Sequence, residues 1–379
     1  MSYQALKLDG NGYASISDAS QKGLDMGLSD FMIEGWVKLA STGRILNKNW
    51  DSASNAYIVW IDGTTGKMKA GLKDATPTSV SGFISDIALN DNTWHYIAIV
   101  FDRSGNLEGF IDGSIESTSV DISTANKSLD NSSEVRIGRY TAGFLDEIRI
   151  WNFGKDGLPT DYESYISWRY KHPFADISEY DSGAWNGYAD ADRTELLTNG
   201  DMEATNSWTN RGTPTTNARS DEQAHGGTYS RKIVTDAVHE GAYQDITTEV
   251  GKWYEVDGYI YVSAGDAKIG KENTDGSDQV LTSQATLGEW KEFAVVFQAT
   301  ETTSRIFFQS DTTAASTFYV DDISVKRIGL VAHYKFNGDY TDETSNSNDL
   351  TAGGTGNTFP GYTLKKDKII KPGVINIIG

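Results

Sequence analysis

The chain has 379 residues, no cysteine, 38% hydrophobic and 23% charged residues, and a formal net charge of −20. That length predicts two or three domains rather than one core, and the missing cysteines exclude disulfides, thiolate metal sites and cysteine nucleophiles. A polyanion repels phosphate backbones, which argues against nucleic acid as a partner, and no run approaches the roughly 18 apolar residues of a membrane-inserting helix.

The amino terminus, MSYQALKLDGNGYASIS, has neither the basic start nor the apolar stretch of a signal peptide, so the expectation is a cytoplasmic product. From there the pattern has a period of two. FMIEGWVKL (31–39), YIVWIDG (57–63), WHYIAIVFD (94–102), LEGFIDG (107–113) and LDEIRIWN (145–152) read as strands, separated by turns such as DGTTGK and DRSGN. Short alternating strands without βαβ alternation predict an all-β fold of tandem antiparallel sandwiches, or jelly rolls. One short helix stands out in the first connector, LPTDYESYISWRYKHP. Thr160 and Glu163 have capping-box spacing, Tyr162, Tyr165, Ile166 and Tyr170 follow at helical intervals, and Pro173 marks the stop.

A second set of strands begins at Glu195 and runs to FYVDDISVKRI. The predicted organisation is a first jelly roll over 1–157, helix and acidic connector over 158–194, and a second jelly roll over 195–328. Residues 329–379 form a closing segment that reads like the opening of a domain, LVAHYKFNGDYTDETSNSNDLT, followed by a basic and then apolar tail, KKDKIIKPGVINIIG.

In its first part, through ALKLDGNGYASI, FMIEGWVKL, NTWHYIAIVFD, LEGFIDGS and GFLDEIRIWN, the chain resembles laminin-G-like, concanavalin-type jelly rolls. That resemblance implies a lectin-like sandwich, with glycosidases a minority. It also implies a structural ion where first and last strands meet, near Asp9 and Asp146; the other reading of Asp9 is a turn-forming aspartate before Gly10. ELLTNGDMEATNSW, YQDITTEVGKWYEVDGYIYV and FYVDDISVKRI resemble carbohydrate-binding modules of the four/nine type. This second resemblance implies a sugar-binding face and a structural Ca²⁺ away from it, held by Asp201, Glu203 and Asp321 or Asp322. In laminin-G-like domains a segment resembling Leu330–Thr351 stands before one resembling Ala5–Ile16. Here the order is reversed, so the closing segment is expected to complete the first domain, in its own chain or in a neighbouring subunit, or to dock the chain to a larger assembly.

Glycoside hydrolysis needs two facing carboxylates. Glucanases of the concanavalin type carry them as Glu-x-Asp-x-x-Glu on one strand; that arrangement does not occur, and Asp146 and Glu147 alternate to opposite faces. The expectation is therefore not an enzyme. For sugar contact, alternation in WYEVDGYIYV and RIFFQS puts Tyr259, Tyr261, Arg305 and Gln309 opposite the aliphatic sets, as candidates for a concave face. Phage heads and tails often carry display modules that look like these two families, so by that resemblance the expectation is a non-enzymatic, glycan-binding decoration, fibre or adhesion protein of a phage virion. The alternatives are a carbohydrate-binding fragment of a secreted glycoside hydrolase, and an assembly subunit without a sugar ligand.

Overall fold

A computed structural model describes residues 3–362 except 53, 76–77, 181–184, 186, 190, 274–277 and 286–287. The apolar tail expected to anchor the chain lies outside the described residues. In chain order the strands are β1 (Tyr3–Gln4), β2 (Leu6–Asp9), β3 (Tyr13–Ile16), β4 (Asp30–Leu39), β5 (Gly43–Lys48), β6 (Ala56–Ile61), β7 (Lys67–Lys73) and β8 (Ser79–Ala88). Then come β9 (Trp94–Phe101), β10 (Asn106–Ile111), β11 (Ser114–Asp121), β12 (Val135–Ile137), β13 (Ala142–Gly154) and helix α1 (Tyr162–Lys171). The second part contains β14 (Thr209–Arg211), β15 (Thr216–Ser220), β16 (Ser230–Val234), β17 (Gly241–Thr247) and β18 (Trp253–Ala264). It continues with β19 (Ala267–Glu272), β20 (Asp278–Gln284), β21 (Trp290–Gln298), β22 (Thr303–Gln309) and β23 (Thr317–Arg327), and the chain closes with β24 (Gly329–Tyr334), β25 (Thr351–Gly353) and β26 (Gly361–Tyr362).

Two compact units result. The first is Met1–Asn152, Leu158–Asp181 and Leu330–Gly379; the second is Phe153–Gly157 and Ser182–Gly329. The connector is thus divided, its helix belonging to the first unit and its acidic half to the second.

The first unit is a sandwich of two antiparallel sheets. One runs β11-β10-β9-β4-β13-β2, with β24 also paired to β13; the other runs β25-β3-β12-β5-β6-β7-β8. Alternation sends Phe31, Ile33, Ile99 and Phe101 inward to meet Tyr57, Val59, Ala70 and Leu72, all of them buried. Helix α1 covers the outside of the first sheet. Glu34, fully buried there, accepts from Trp151 Nε1 (3.0 Å), Tyr165 Oη (2.8 Å) and Tyr96, while Arg169 Nε donates to Tyr165 Oη at 3.2 Å. A buried carboxylate is tolerated only with such donors. The capping box expected from Thr160 does not form: the helix starts at Tyr162, behind Asp161, without a side-chain cap.

The closing segment lies in this same unit, within its own chain. β24 extends the sheet at β13, β25 pairs with β3, and β26 pairs with β1. Val331, Tyr334, Phe336 and Leu350 enter the core. A buried polar knot fixes them: Asp342 accepts the N–H groups of His333 (2.9 Å), Thr344 (3.0 Å) and Asn348 (2.9 Å), and Asn348 Nδ2 donates to the carbonyls of Lys22 and Val331. The polar run TDETSNSND, which looks like a loop, is the joint between the two chain ends.

The second unit stacks β14-β17-β22-β19-β20 on β15-β16-β23-β18-β21. Its core holds Trp208, Val256, Ile260, Val262, Ile306, Phe308, Phe318 and Val320. Trp208 is a core residue, while half-buried Trp290 lies on edge strand β21.

Candidate functional site

The outer face of β14-β17-β22-β19-β20 is built from strand alternation. With Ile306 and Phe308 turned inward, Arg305, Phe307 and Gln309 of β22 point outward. Cross-strand register places Tyr243 opposite Phe307 and Asp245 opposite Arg305 on β17, and Gly270 opposite Phe307 and Glu272 opposite Arg305 on β19. Arg211 enters from β14, opposite Gly241.

Two guanidinium groups lie on two rings. Arg305 sits 3.8 Å from the Tyr243 ring centroid and Arg211 4.2 Å from that of Phe307. Each is oriented by a carboxylate: Arg305 Nε donates to Asp245 Oδ1 at 2.7 Å and its Nη2 to Oδ2 at 3.1 Å, while Arg211 pairs with Glu272. Arg305 also lies 3.7 Å from Glu272, so that one carboxylate spans both arginines. Gln309 accepts from Arg211, and its Nε2 meets His239 Nδ1 at 3.0 Å. The Phe307 ring occupies the space that glycine leaves at position 270; a Cβ there would stand 2.2 Å from Phe307 Cζ. The face therefore alternates fixed donors and fixed acceptors around the half-buried Tyr243 ring, with Phe307 fully buried beneath Arg211. A sugar presents hydroxyls that both donate and accept, on an apolar ring, and is complementary to such a pattern.

Of the expected sugar residues, Arg305 lies on this face and Gln309 is fully buried in it against Arg211 and His239, whereas Tyr259 and Tyr261 belong elsewhere. Strand β18 pairs with β21 and β23 in the opposing sheet, and the outer faces of a sandwich's two sheets point in opposite directions. The expected single set is corrected to two. On the opposing sheet, Trp290, Tyr261 and Tyr319 stand in one cross-strand row. Tyr259 stacks on His225 with ring centroids 3.4 Å apart and planes inclined by 13°. These rings pack on one another.

The carboxylates expected to hold calcium are also partly separated. Glu203, Asp321 and Asp322 gather at the segment 225–229. Asp321 Oδ2 accepts the N–H groups of His225 (2.8 Å) and Gly226 (3.1 Å), Glu203 Oε1 accepts those of Thr228 (2.7 Å) and Tyr229 (2.9 Å), and Asp322 Oδ2 lies 2.8 Å from His225 Nδ1. Burial, aided by neighbouring Asp322, pushes Asp321 up to about 6. Asp201 is exposed in the preceding turn. The donors facing Asp321 and Glu203 are backbone N–H groups. Among the described residues no group of three or more His, Asp or Glu side chains is arranged to hold a metal ion.

In the first unit Asp9 and Asp146 do not converge. Asp9 is opposite Ala142 and Leu6 opposite Leu145, so the strand register sets Asp146 four residues beyond Asp9's partner, about 13 Å along β13. Asp9 Oδ1 instead accepts from Asn11 (2.9 Å) and Gly12 (3.3 Å), the turn role, and Asp146 is buried with Oδ1 accepting from the Glu147 N–H at 3.0 Å.

Sequence reasoning missed Arg211, Tyr243, Asp245, Glu272 and Phe307. Alternation within AYQDITTEV does put Tyr243 and Asp245 on one side. What joins them to Arg305 is the pairing of β17 with β22, some sixty residues away, and no local signal carries that.

Comparison with known proteins agrees with this architecture. Residues 8–154 match the family described as the concanavalin A-like lectin/glucanases superfamily, and residues 194–315 match a carbohydrate binding domain. The chain thus carries a laminin-G-like domain followed by a carbohydrate-binding domain. No curated protein matches. Among solved structures, the xylan-binding domain of a Paenibacillus barcinonensis protein is 20% identical over 36% of this chain and 96% of its own, with a TM-score of 0.32. TmCBM61, solved in complex with beta-1,4-galactotriose, is 18% identical over 35% of this chain and 99% of its own, with a TM-score of 0.30. The heptameric SAP-like pentraxin from Limulus polyphemus is 14% identical over 44% of this chain and 82% of its own, with a TM-score of 0.33.

Proposed function

We propose that the chain is a non-enzymatic glycan-binding protein whose second unit holds a neutral saccharide on the outer face of β14-β17-β22-β19-β20. The observation that carries this reading is the ring–arginine–carboxylate lattice of Tyr243, Phe307, Arg211, Arg305, Asp245 and Glu272. The match of this unit to a carbohydrate binding domain supports it. Each cation there is paired with a carboxylate, so the face carries little net charge and suits uncharged hydroxyl-rich ligands. Cellulose- and hemicellulose-type chains are the probes to begin with.

The test is titration calorimetry of the full chain against soluble xylan, galactan and mixed-linkage glucan, with Tyr243→Ala and Arg211→Met beside the parent. Binding of at least one polymer that both substitutions weaken tenfold or more, with thermal midpoints unchanged, is expected. Retention of full affinity in both variants overturns the reading.

The setting proposed is adhesion from a virion surface, supported by two glycan-type domains on one chain. Antibody labelling of purified particles tests it; unlabelled particles refute it. Calcium binding at Glu203, Asp321 and Asp322 would require Asp321 to turn from its backbone partners. A calcium-dependent rise in the second unit's thermal midpoint, lost in Asp321→Asn, is the result that would establish it.

A further inference from the structure

The first unit has its own open sheet face, on the outside of β25-β3-β12-β5-β6-β7-β8. Leu46, Val59, Ala70 and Leu72 point into the sandwich, which leaves Asn47, Ile58, Trp60, Lys69, Gly71 and Lys73 pointing outward. Asn47, Ile58 and Gly71 form one cross-strand row, between Trp60–Lys69 on one side and Ala56–Lys73 on the other.

In the loop joining β5 to β6, residues 49–52 and 54–55 are folded back over this row. Asn49 sits at φ +56 and its Nδ2 donates to the carbonyls of Ser54 and Asn55, each at 3.1 Å. Lys73 Nζ donates to the carbonyls of Trp50 (2.8 Å) and Ser52 (2.9 Å). Asp51 is gripped by Arg44 (2.6 Å) and Arg139 (2.8 Å); the Arg44 hydrogen bond first, then the charges of both arginines, hold its carboxyl down to about 2. The Trp50 ring is thereby set 5.8 Å from that of Trp60 and 4.4 Å from Lys73 Nζ. Both tryptophans keep part of their surface exposed.

Two features of this face have no structural explanation within the fold. Asn47 is 3% exposed on the outer side of the sheet, yet its Oδ1 has no hydrogen-bond partner. A buried acceptor left unmade costs about 1–3 kcal/mol, a cost a ligand donor would remove. The second feature is charge. Arg44 and Arg139 share the single carboxylate of Asp51, Arg136 takes Glu134, Lys69 takes Asp62, and Lys73 is held by carbonyl oxygens alone. Cations outnumber carboxylates here, on a chain whose net charge is −20.

From these observations we infer that this face is a second saccharide site, independent of the one in the second unit, and that it takes acidic sugars: polymers carrying carboxylate groups, such as uronic acid chains. The tryptophans supply apolar platforms for the pyranose rings, Asn47 Oδ1 accepts from a hydroxyl, and the surplus cations, with Lys73 beside Trp50, select the negative charge.

The experiment uses the full chain and three carboxylated polymers, polygalacturonate, alginate and hyaluronate, with highly methyl-esterified pectin as the uncharged comparison. Parent, Trp60→Ala, Asn47→Ala and the second-unit variant Tyr243→Ala are titrated side by side, with thermal midpoints recorded. At least one carboxylated polymer should bind at least tenfold more tightly than esterified pectin. Trp60→Ala should weaken it tenfold or more and Tyr243→Ala should leave it unchanged. Asn47→Ala should weaken it about threefold to tenfold without lowering the thermal midpoint; a purely structural asparagine would lower the midpoint and spare affinity. No binding to any of the three, equal binding of esterified pectin, or a loss that follows Tyr243→Ala overturns the inference. The reading of the second unit fails separately, through its own neutral polymers.

Discussion

The open sheet faces of the two units carry the same ingredients in different balance. In the second unit each arginine on a ring is matched by a carboxylate, Arg305 by Asp245 and Arg211 by Glu272. In the first unit two arginines share Asp51, while Lys73 lies 4.4 Å from the Trp50 ring with only carbonyls as acceptors. In the reading proposed above, the partly exposed rings of Tyr243, Trp50 and Trp60 suit both faces to sugars, and the charge left after internal pairing decides which sugars. A residue count alone would not separate the faces, because the discriminating quantity is pairing.

The largest expected effect breaks the comparison outright. A chain ending at Ile328 loses Val331, Tyr334, Phe336 and Leu350 from the first core. At about 1.5–3 kcal/mol for each large apolar side chain, together with the partners of β13 and β3, the loss matches the whole stability of an ordinary domain. Calorimetry should show one unfolding transition where the full chain shows two. Acidic-polymer binding should vanish and neutral-polymer binding persist. Two surviving transitions would mean that the closing segment is an accessory and not part of the first domain.

A smaller change sharpens the comparison. Glu272→Gln removes the carboxylate that spans Arg211 and Arg305 and gives the second face a cation surplus like that of the first. Loss of a charge-assisted acceptor is worth about 1.5–3 kcal/mol. Neutral-polymer affinity is expected to fall ten- to a hundredfold, and polygalacturonate binding should appear in a Trp60→Ala background. If the doubly substituted chain ignores polygalacturonate, charge surplus is not the selector. Salt separates the faces more gently. Raising NaCl from 0.05 to 0.5 M should weaken acidic-polymer binding by about tenfold and neutral-polymer binding by less than twofold, since screening acts on net charge and not on matched internal pairs.

Both sandwiches were legible in the sequence because alternation is local: FMIEGWVKL and WYEVDGYIYV each state which residues face inward. The reversed order of Leu330–Thr351 and Ala5–Ile16 was also legible, though whether closure happens within one chain depends on contacts such as Asn348 with Lys22, 326 positions apart. Placement of the candidate residues on the sheets was half legible for the same reason. Alternation assigned Tyr259, Tyr261, Arg305 and Gln309 to outer faces correctly but could not say that β18 and β22 lie in opposing sheets. Trp50 and Asn47 gave no signal, since one depends on a loop folding back and the other on an acceptor left unfilled.

The finest contrast concerns acid. In the first unit His333 Nε2 lies 2.7 Å from Glu147 Oε2, and Arg149 Nη2 lies 2.5 Å from the same oxygen. Burial, with the Arg149 cation beside it, lowers His333 to about 4 and keeps it neutral. Burial alone would raise Glu147, but Arg149 and His333 hold it at about 2. Folded values below the unfolded ones mean that both groups stabilise the fold at neutral pH. The His333 share is lost as pH falls from about 6.5 towards 4, and the Glu147 share from about 4.5 towards 2. The second unit behaves in the opposite sense. Burial, reinforced by Glu255, raises Asp257 to about 8, and burial with Asp322 raises Asp321 to about 6. Their folded forms favour the proton, so that unit gains stability as pH falls through 8 and then 6. On acidification from pH 7.5 to 5.5 the His333 share should therefore lower the first thermal transition, while the second should rise. In the first unit His95, raised by its hydrogen bond to Asp112, and Asp25, Asp342 and Glu116, raised by burial, work against the His333 share, so the decisive comparison is His333→Gln. At pH 5.5 the parent's His333 costs about 1 kcal/mol, or about 2–4 °C. The variant's first transition should lose that part of its pH dependence while the second stays as it was. A variant whose first transition still tracks pH like the parent's places the sensitivity elsewhere than the His333–Glu147–Arg149 contact.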